Sequence, residues 1–178
     1  MTTDWRDVLA TGERLLWEGQ PDRGLILRPI EILLIPFSLL WGGFAIFWNV
    51  TAWTSGAGTE FQLFGMPFLL VGAYVIAGRF VHDIWLRRRT SYAVTDQRVV
   101  IRRVGLGGGV RSIDLVALPV LELHEDSSGR GTVRFENRSL FGGSGFDIWV
   151  PGLASSAQFL RIADARVVYA IIRRQRAG

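Results

Sequence analysis

Two long runs of apolar residues dominate the first half of the chain. No charged residue occurs between Ile32 and Thr59, and Ile32–Trp53 is an apolar stretch of about 22 residues, enough to cross a bilayer core roughly 30 Å thick. A second uncharged stretch, Phe61–Gly78, can extend past Arg79 to residue 81. A few residues, 54–60, separate the two runs. The pattern predicts a hairpin of two transmembrane helices, at about 32–53 and 61–81, because a helix satisfies its own backbone hydrogen bonds in lipid.

Short alternating runs of apolar and polar residues replace this pattern after Arg89. Such alternation, broken by turn residues, is typical of antiparallel sheet. The pair Asp96-Gln97 lies between two of these runs and predicts a tight hairpin. Arg14–Glu18, ahead of the apolar runs, is a candidate for an added strand. The predicted strands are Ser91–Thr95, Arg98–Val104, Val110–Leu115, Val120–Glu125, Thr132–Glu136 and Phe146–Val150.

The last part of the chain returns to helical spacing. Ser155 is followed three residues later by Gln158, which is the signature of a capping box. The sequence therefore predicts an amphipathic helix over about 156–175 that packs its apolar face on the sheet. The residues expected on that face are Leu160, Ala163, Val167, Ala170 and Ile171.

These elements divide the chain into an N-terminal segment (1–29), a transmembrane helical hairpin (30–86) and a β-rich module with its closing helix (87–178). The fold class expected is an α+β membrane protein. Arginines precede the first apolar run and follow the second, whereas the connection between the runs has none. The positive-inside rule then places both termini in the cytoplasm.

The composition excludes several kinds of chemistry. All 20 basic residues are arginine, so a Walker-type phosphate loop and a Schiff-base enzyme each lack their lysine. The chain has no cysteine, which excludes disulfides, thiol catalysis and cysteine-containing zinc sites. The two histidines, His82 and His124, are far apart in sequence, which disfavours an imidazole-based metal site. We therefore expect no catalytic residue, no metal site and no cofactor.

Several motifs together resemble one family. They are the run YAVTDQRVVI at 92–101, a lead-in of Gly12-Glu13, Trp17, Gly19 and Pro21, and the stretch from Phe159 to Tyr169. The chain resembles the membrane-anchored bacterial PH-like domain proteins, in which a "GE…W.G.P" lead-in precedes the transmembrane hairpin. The resemblance implies a seven-stranded, helix-capped antiparallel barrel or sandwich at the bacterial inner membrane. It implies no assigned activity.

Two clusters of polar residues are candidate sites. Arg87, Arg88 and Arg89 follow the second apolar run and either anchor the topology or also contact anionic headgroups, at about 1 kcal/mol per arginine. Arg79, His82 and Asp83 lie at the inner end of the second predicted helix. They form either an intramembrane polar cluster on a proton or ion path or an interfacial group that satisfies its own charges.

The glycine run at 105–109 is interpreted as a hairpin turn, because phosphate cradles end on a helix and here a strand follows. His124 alternates with apolar neighbours on a strand, so we expect its side chain in solvent. Arginines without an aromatic stacking platform or a recognition helix disfavour nucleic acid as a partner.

The leading hypothesis is a non-catalytic, membrane-tethered module for interaction or self-assembly. The alternative is a subunit or small carrier of a membrane complex that handles a lipid or an ion through the hairpin. The expected partners are the lipid bilayer and either a second copy of the chain or another membrane protein. An enzyme is not expected.

Overall fold

A pair of long antiparallel helices interrupts a β-sheet in chain order. The computed structural model describes residues 4–27, 30–56, 58–105, 108–126, 129–136 and 157–177. The elements in these ranges are β1 (Leu15–Gly19), α1 (Glu31–Thr54), α2 (Thr59–Ala73), a π-helical turn (Tyr74–Gly78), α3 (Arg79–Arg88), β2 (Thr90–Thr95), β3 (Arg98–Arg103), β4 (Gly109–Asp114), β5 (Glu122–Glu125), β6 (Gly131–Arg134), β7 (Gln158–Ile162) and α4 (Ala165–Ala177).

The two predicted helices are confirmed. α2, the π-helical turn and α3 form one continuous helix, Thr59–Arg88, which runs back along α1. Pro36 and Pro67 lie inside the helices without ending them. Both helices are long and apolar enough to cross a membrane by length and composition, and they are compatible with a membrane location.

The first sheet has the strand order β1-β2-β3-β4 and is antiparallel throughout. β1, which precedes the helices, pairs with β2, which follows them, so that Leu15 faces Thr95 and Gly19 faces Tyr92. The candidate strand near the N-terminus is thereby confirmed. The hairpin predicted at Asp96-Gln97 is also confirmed, because β2 ends at Thr95 and β3 begins at Arg98.

The second sheet has the order β5-β6-β7 and is also antiparallel. Neither sheet closes into a barrel, so the barrel form of the expected fold is wrong for the described residues. β2 to β6 correspond to predicted strands, whereas Phe146–Val150 lies outside the described residues.

The prediction of a single helix over 156–175 is wrong in its first half. Gln158–Ile162 is a strand, and the helix begins at Ala165. The error has a physical cause. β7 carries an extra residue opposite β6, so Phe159 and Ile162 point to the same side although they are three positions apart. A β-bulge of this kind reproduces the i, i+3 spacing of a helix.

The buried face of α4 also differs from the prediction. Val168 and Ile172 are fully buried, whereas Val167 is 55% exposed and Ala163 and Ala170 are exposed. The expected face was therefore displaced by one residue. The displacement arises because the prediction extends one helical period over both β7 and α4, although only α4 is a helix.

The core lies between the two sheets and beneath α4. Phe159 of β7 occupies its centre: the ring is 4.6 Å from Tyr92 and 5.7 Å from Trp17, centroid to centroid, and it meets Phe135 edge to face at 4.8 Å. Burial raises the pKa of the Tyr92 phenol to about 12. Since Trp17 belongs to β1, the N-terminal segment is part of the core.

Candidate functional site

The helix pair exposes its large apolar side chains and buries its small and polar ones. The outward side chains of α1 and α2 include Ile32 (83% exposed), Leu40 (75%) and Leu70 (71%). The buried residues of α1 recur at intervals of three and four, and they are Glu31, Leu34, Ser38, Gly42, Ala45, Asn49 and Ala52. This distribution is the reverse of that in a water-soluble helix pair.

Small residues and one amide hold the two helices together. The Cα of Gly42 lies 3.5 Å from where a Cβ on Gly72 would stand, so the backbones nearly touch at this level. The side-chain amide of Asn49 donates to the carbonyl oxygen of Gly65 across the interface at 3.0 Å. Close approach and interhelical hydrogen bonds are the interactions that join helices in lipid.

The Arg79, His82, Asp83 group is not brought together as one cluster. Arg79 is 2% exposed and forms an ion pair with Glu31 of α1 at 2.7 Å. His82 Nδ1 lies 3.0 Å from the Tyr74 hydroxyl, and Asp83 pairs with Arg87 at 2.8 Å. Each member thus has a different partner. Sequence reasoning missed Glu31. The signal that could have found it is an acid at the start of the first apolar run and a base at the end of the second, which antiparallel helices bring together.

The three consecutive arginines also have different environments. Arg87 is buried, donates to Asp83 at 3.1 Å and donates to the backbone carbonyl of Asp22 at 2.6 Å. Arg88 and Arg89 are exposed, and the guanidinium of Arg89 lies 4.1 Å from the centroid of the Trp85 ring. Among the three, only Arg88 and Arg89 have the exposure that contact with a membrane surface requires.

The residues of the lead-in motif attach the N-terminal segment to the first sheet. Gly12 has φ +86° and makes the turn that precedes Glu13. The Glu13 carboxylate is buried and accepts two hydrogen bonds from Arg98 at 2.8 Å and one from the Thr95 hydroxyl at 2.7 Å. The Arg98 hydrogen bonds, helped by those from the Ala10 amide and Thr95 and opposed by burial, lower the pKa of Glu13 to about 2.

Two further residues extend this attachment. The Trp5 indole is buried against Ala93 and Val100 on the outer face of the first sheet, and its N–H donates to Glu18 at 2.9 Å. Pro21, the last motif residue, is also buried. Arg98, although it lies on a strand near the N-terminal segment's surface, directs its guanidinium to Glu13. The lead-in motif therefore fixes β1 on the first sheet rather than forming a ligand pocket.

Asp22 lies at the junction of the helix and both sheets. Its backbone carbonyl accepts from Arg87 of α3, and its carboxylate lies 3.4 Å from Arg130 and 3.9 Å from Arg161. Arg161, at the bulge of β7, has φ +44° and pairs with Asp126 at 2.8 Å. Sequence reasoning gave Asp22 no role, because its partners are distant in sequence.

The remaining predicted positions have simple surroundings. His124 is exposed on β5, as predicted. Gly105 lies between β3 and β4 and Gly109 begins β4, consistent with a hairpin turn, and residues 106 and 107 are outside the described ranges. No group of three potential metal-binding His, Cys, Asp or Glu side chains occurs in the part of the chain that the structure describes.

Comparison with known proteins gives one relative among curated sequences. A protein of Rhodobacter capsulatus, described as an uncharacterized 23.7 kDa protein in the puhA 5' region, is 27% identical over 143 residues. The match covers 74% of this chain and 62% of that protein, so the chain spans less than two thirds of its relative's length. No family model and no solved structure matches the chain.

Proposed function

We propose that this protein is a non-catalytic, membrane-tethered module of the PH-like type that mediates interaction or self-assembly at the bacterial inner membrane. The α1–α2 hairpin is its anchor, and the two sheets with α4 are the cytoplasmic part. The observation that carries the proposal is that the helix pair exposes its large apolar side chains and buries its small and polar ones. This pair is joined directly to the first sheet, in which β1 precedes the hairpin and β2 follows it.

The exposure of the helices supports a membrane anchor. Only 28% of the most apolar 18-residue stretch of α1 is buried within the chain, and only 11% of the corresponding stretch of the Thr59–Arg88 helix is buried. A core helix of a soluble protein would be mostly buried. Contiguous apolar surface as extensive as this one is rare on soluble monomers, because exposing it to water costs about 25 cal/mol per Å².

The pairing of β1 with β2 supports a single-sided topology. β1 enters the hairpin and β2 leaves it, and the two strands are hydrogen-bonded, so both ends of the hairpin must lie on the same side. Arginines flank these two ends and are absent from the connection at residues 55–58. By the positive-inside rule that side is the cytoplasm.

Two features support a PH-like module. Sheets of four and three antiparallel strands with a C-terminal helix agree with the strand number and the helix that the resemblance implies, although neither sheet closes. In addition, the residues of the lead-in motif act together, because Glu13, Trp17 and Pro21 all attach β1 to the module.

The polar contacts of α3 favour an interaction module over a carrier. A proton or ion path needs a connected series of polar groups. Arg79, His82 and Asp83 instead face Glu31, Tyr74 and Arg87 respectively. The first pair joins the two long helices and the other two lie within the Thr59–Arg88 helix, so the three side chains do not form one connected series.

Reporter fusions test the topology. Fusions after Leu27 and after Gly178 should report the cytoplasm, and a fusion at Gly56 should report the opposite side. A reporter signal from outside the cytoplasm at Gly178 would overturn the cytoplasmic assignment of the module.

Affinity purification in mild detergent tests the function. The full chain should be compared with a soluble form that lacks the hairpin but keeps residues 4–27, because β1, Trp5 and Glu13 belong to the sheet. These residues can be joined to β2 by a short linker, since Asp22 already contacts Arg87. Homo-oligomers, or a partner captured by both forms, support the interaction module. A defined partner that is captured only when the hairpin is present, without self-association, would support the alternative hypothesis of a subunit of a membrane complex.

A further inference from the structure

The segment Asp22–Leu27, called the strap below, leads from the module toward α1 and lies between two contacts made by α3. At its start, the guanidinium of Arg87 donates to the Asp22 carbonyl at 2.6 Å. Just beyond its end, Glu31 forms the buried ion pair with Arg79 at 2.7 Å. Because Arg79 and Arg87 lie near opposite ends of α3, the chain passes from the level of Arg87 at Asp22 to the level of Arg79 at Glu31.

The position of α3 determines the depth of the strap. From Arg79 to Arg87 the helix rises about 12 Å at 1.5 Å per residue. Arg79 is the first charge after the long uncharged stretch of the second helix, so it marks the edge of the hydrocarbon core. The headgroup layer beyond that edge is about 5 to 7 Å thick. On its way from Asp22 to Glu31 the chain therefore crosses headgroup depth, and Leu25 and Leu27 belong to this part of the chain.

The side chains of the strap suit that layer. Leu25 is 58% exposed and Leu27 is 59% exposed, although the strap begins at a residue that Arg87 holds. Ile26 between them is half-buried, and Arg23 is exposed at the end farther from the bilayer. Two outward leucines below an arginine reproduce the order of an interfacial segment, with apolar groups toward the acyl chains and a cation toward the phosphates.

Exposed apolar side chains also occur where the anchor begins. Past the end of the strap, Ile32 and Leu33 of α1 are 83% and 67% exposed, and Val81 of the neighbouring α3 is 67% exposed.

We infer that the strap lies in the headgroup layer of the bilayer that α1 and α2 cross, with Leu25 and Leu27 in contact with lipid. This inference rests on the proposed membrane anchor. It identifies the bilayer surface as a second partner, distinct from the hydrocarbon core. Since Asp22 also faces Arg130 and Arg161 of the second sheet, the contact joins the lipid surface to the module through a short chain of ion pairs.

Depth-dependent fluorescence quenching in vesicles tests the inference, and the chain needs no prior removal of cysteines. The variant Leu27→Cys is labelled with an environment-sensitive dye and reconstituted with lipids that carry a quencher at either a shallow or a deep position of the acyl chain. Two matched variants set the limits. Leu40→Cys lies near the middle of α1 and is 75% exposed, and Val116→Cys lies beyond β4 in the module and is 90% exposed.

The expected result is that dye on residue 27 loses most of its fluorescence with the shallow quencher, residue 40 with the deep quencher, and residue 116 with neither. Leu25→Cys should repeat the result of residue 27, which guards against a local effect of one substitution. If residues 25 and 27 both behave like residue 116 while residue 40 is quenched, the inference is overturned and the anchor stands. If residue 40 is not quenched, the proposed anchor fails as well.

Discussion

The substitution Glu13→Gln tests the attachment of the N-terminal segment. The Glu13 side chain is fully buried and accepts from Arg98, Thr95 and the Ala10 amide at 2.7 to 2.8 Å. Glutamine keeps the shape but removes the charge. Arg98, whose side chain is only 24% exposed, is then left without its counter-charge. Removing one partner of such an ion pair destabilises the fold by more than the intact pair stabilises it, because the remaining charge is left uncompensated.

The pKa of Glu13 gives the magnitude and its pH dependence. The ionised carboxylate is stabilised in the folded state, because its pKa is lowered from 4.5 to about 2. One pKa unit corresponds to about 1.4 kcal/mol, so the interaction contributes roughly 3 kcal/mol to the free energy of unfolding at neutral pH. Because the folded-state pKa is the lower one, this contribution is complete above pH 4.5 and is lost as the pH falls toward 2.

Thermal or urea unfolding in a non-ionic detergent, followed by tryptophan fluorescence, measures this effect. We expect Glu13→Gln to lower the free energy of unfolding by about 3 kcal/mol at pH 7. The difference from the native chain should shrink between pH 4.5 and pH 2. Glu122→Gln, on the exposed face of β5, is the matched control and should have little effect. Equal losses for both variants at pH 7, or a Glu13→Gln deficit unchanged at pH 2, would refute the reasoning.

Two matched pairs of substitutions test the packing. Val168→Asp places an unpaired charge among fully buried residues and should cost several kcal/mol, whereas Val167→Asp, at a half-exposed position one residue away, should be mild in the same unfolding assay. Gly72→Leu should separate the helices, because a Cβ there already reaches van der Waals contact with the Gly42 backbone at 3.5 Å and the rest of the leucine side chain must enter the buried interface, whereas the Cβ of Gly43→Leu meets nothing within 4 Å. Cross-linking between cysteines introduced on α1 and α2 should fall for the first of these and not for the second; equal cross-linking would contradict the close packing.

The elements with a strong local signal were predictable from the sequence. Two long uncharged apolar runs leave little choice but helices, and their bounds in the structure are close to the predicted ones. The β2–β3 hairpin was also found, because Asp96-Gln97 separates two β-branched runs. In each case the residues that decide the structure are neighbours in sequence.

The parts that were not predictable depend on partners distant in sequence. The strand β7 has the sequence pattern of a helix, because its bulge places Phe159 and Ile162 at helical spacing. The extra residue becomes visible only in the pairing of β7 with β6. The candidate cluster around Arg79 was assigned by proximity along one helix. The partner of Arg79 is instead Glu31, on a different helix, and helix packing decides that contact.

The pairing of β1 with β2 has a consequence for the order of events during synthesis. Leu15 faces Thr95, so the first strand leaves the ribosome 80 residues before its partner, and both long helices are made in between. At about 5 to 20 residues per second, this interval lasts roughly 4 to 16 s. During that time Leu15 and Leu16 belong to an unpaired apolar strand. The two long helices therefore have to bring their outer ends together before β1 can pair with β2 and complete the first sheet.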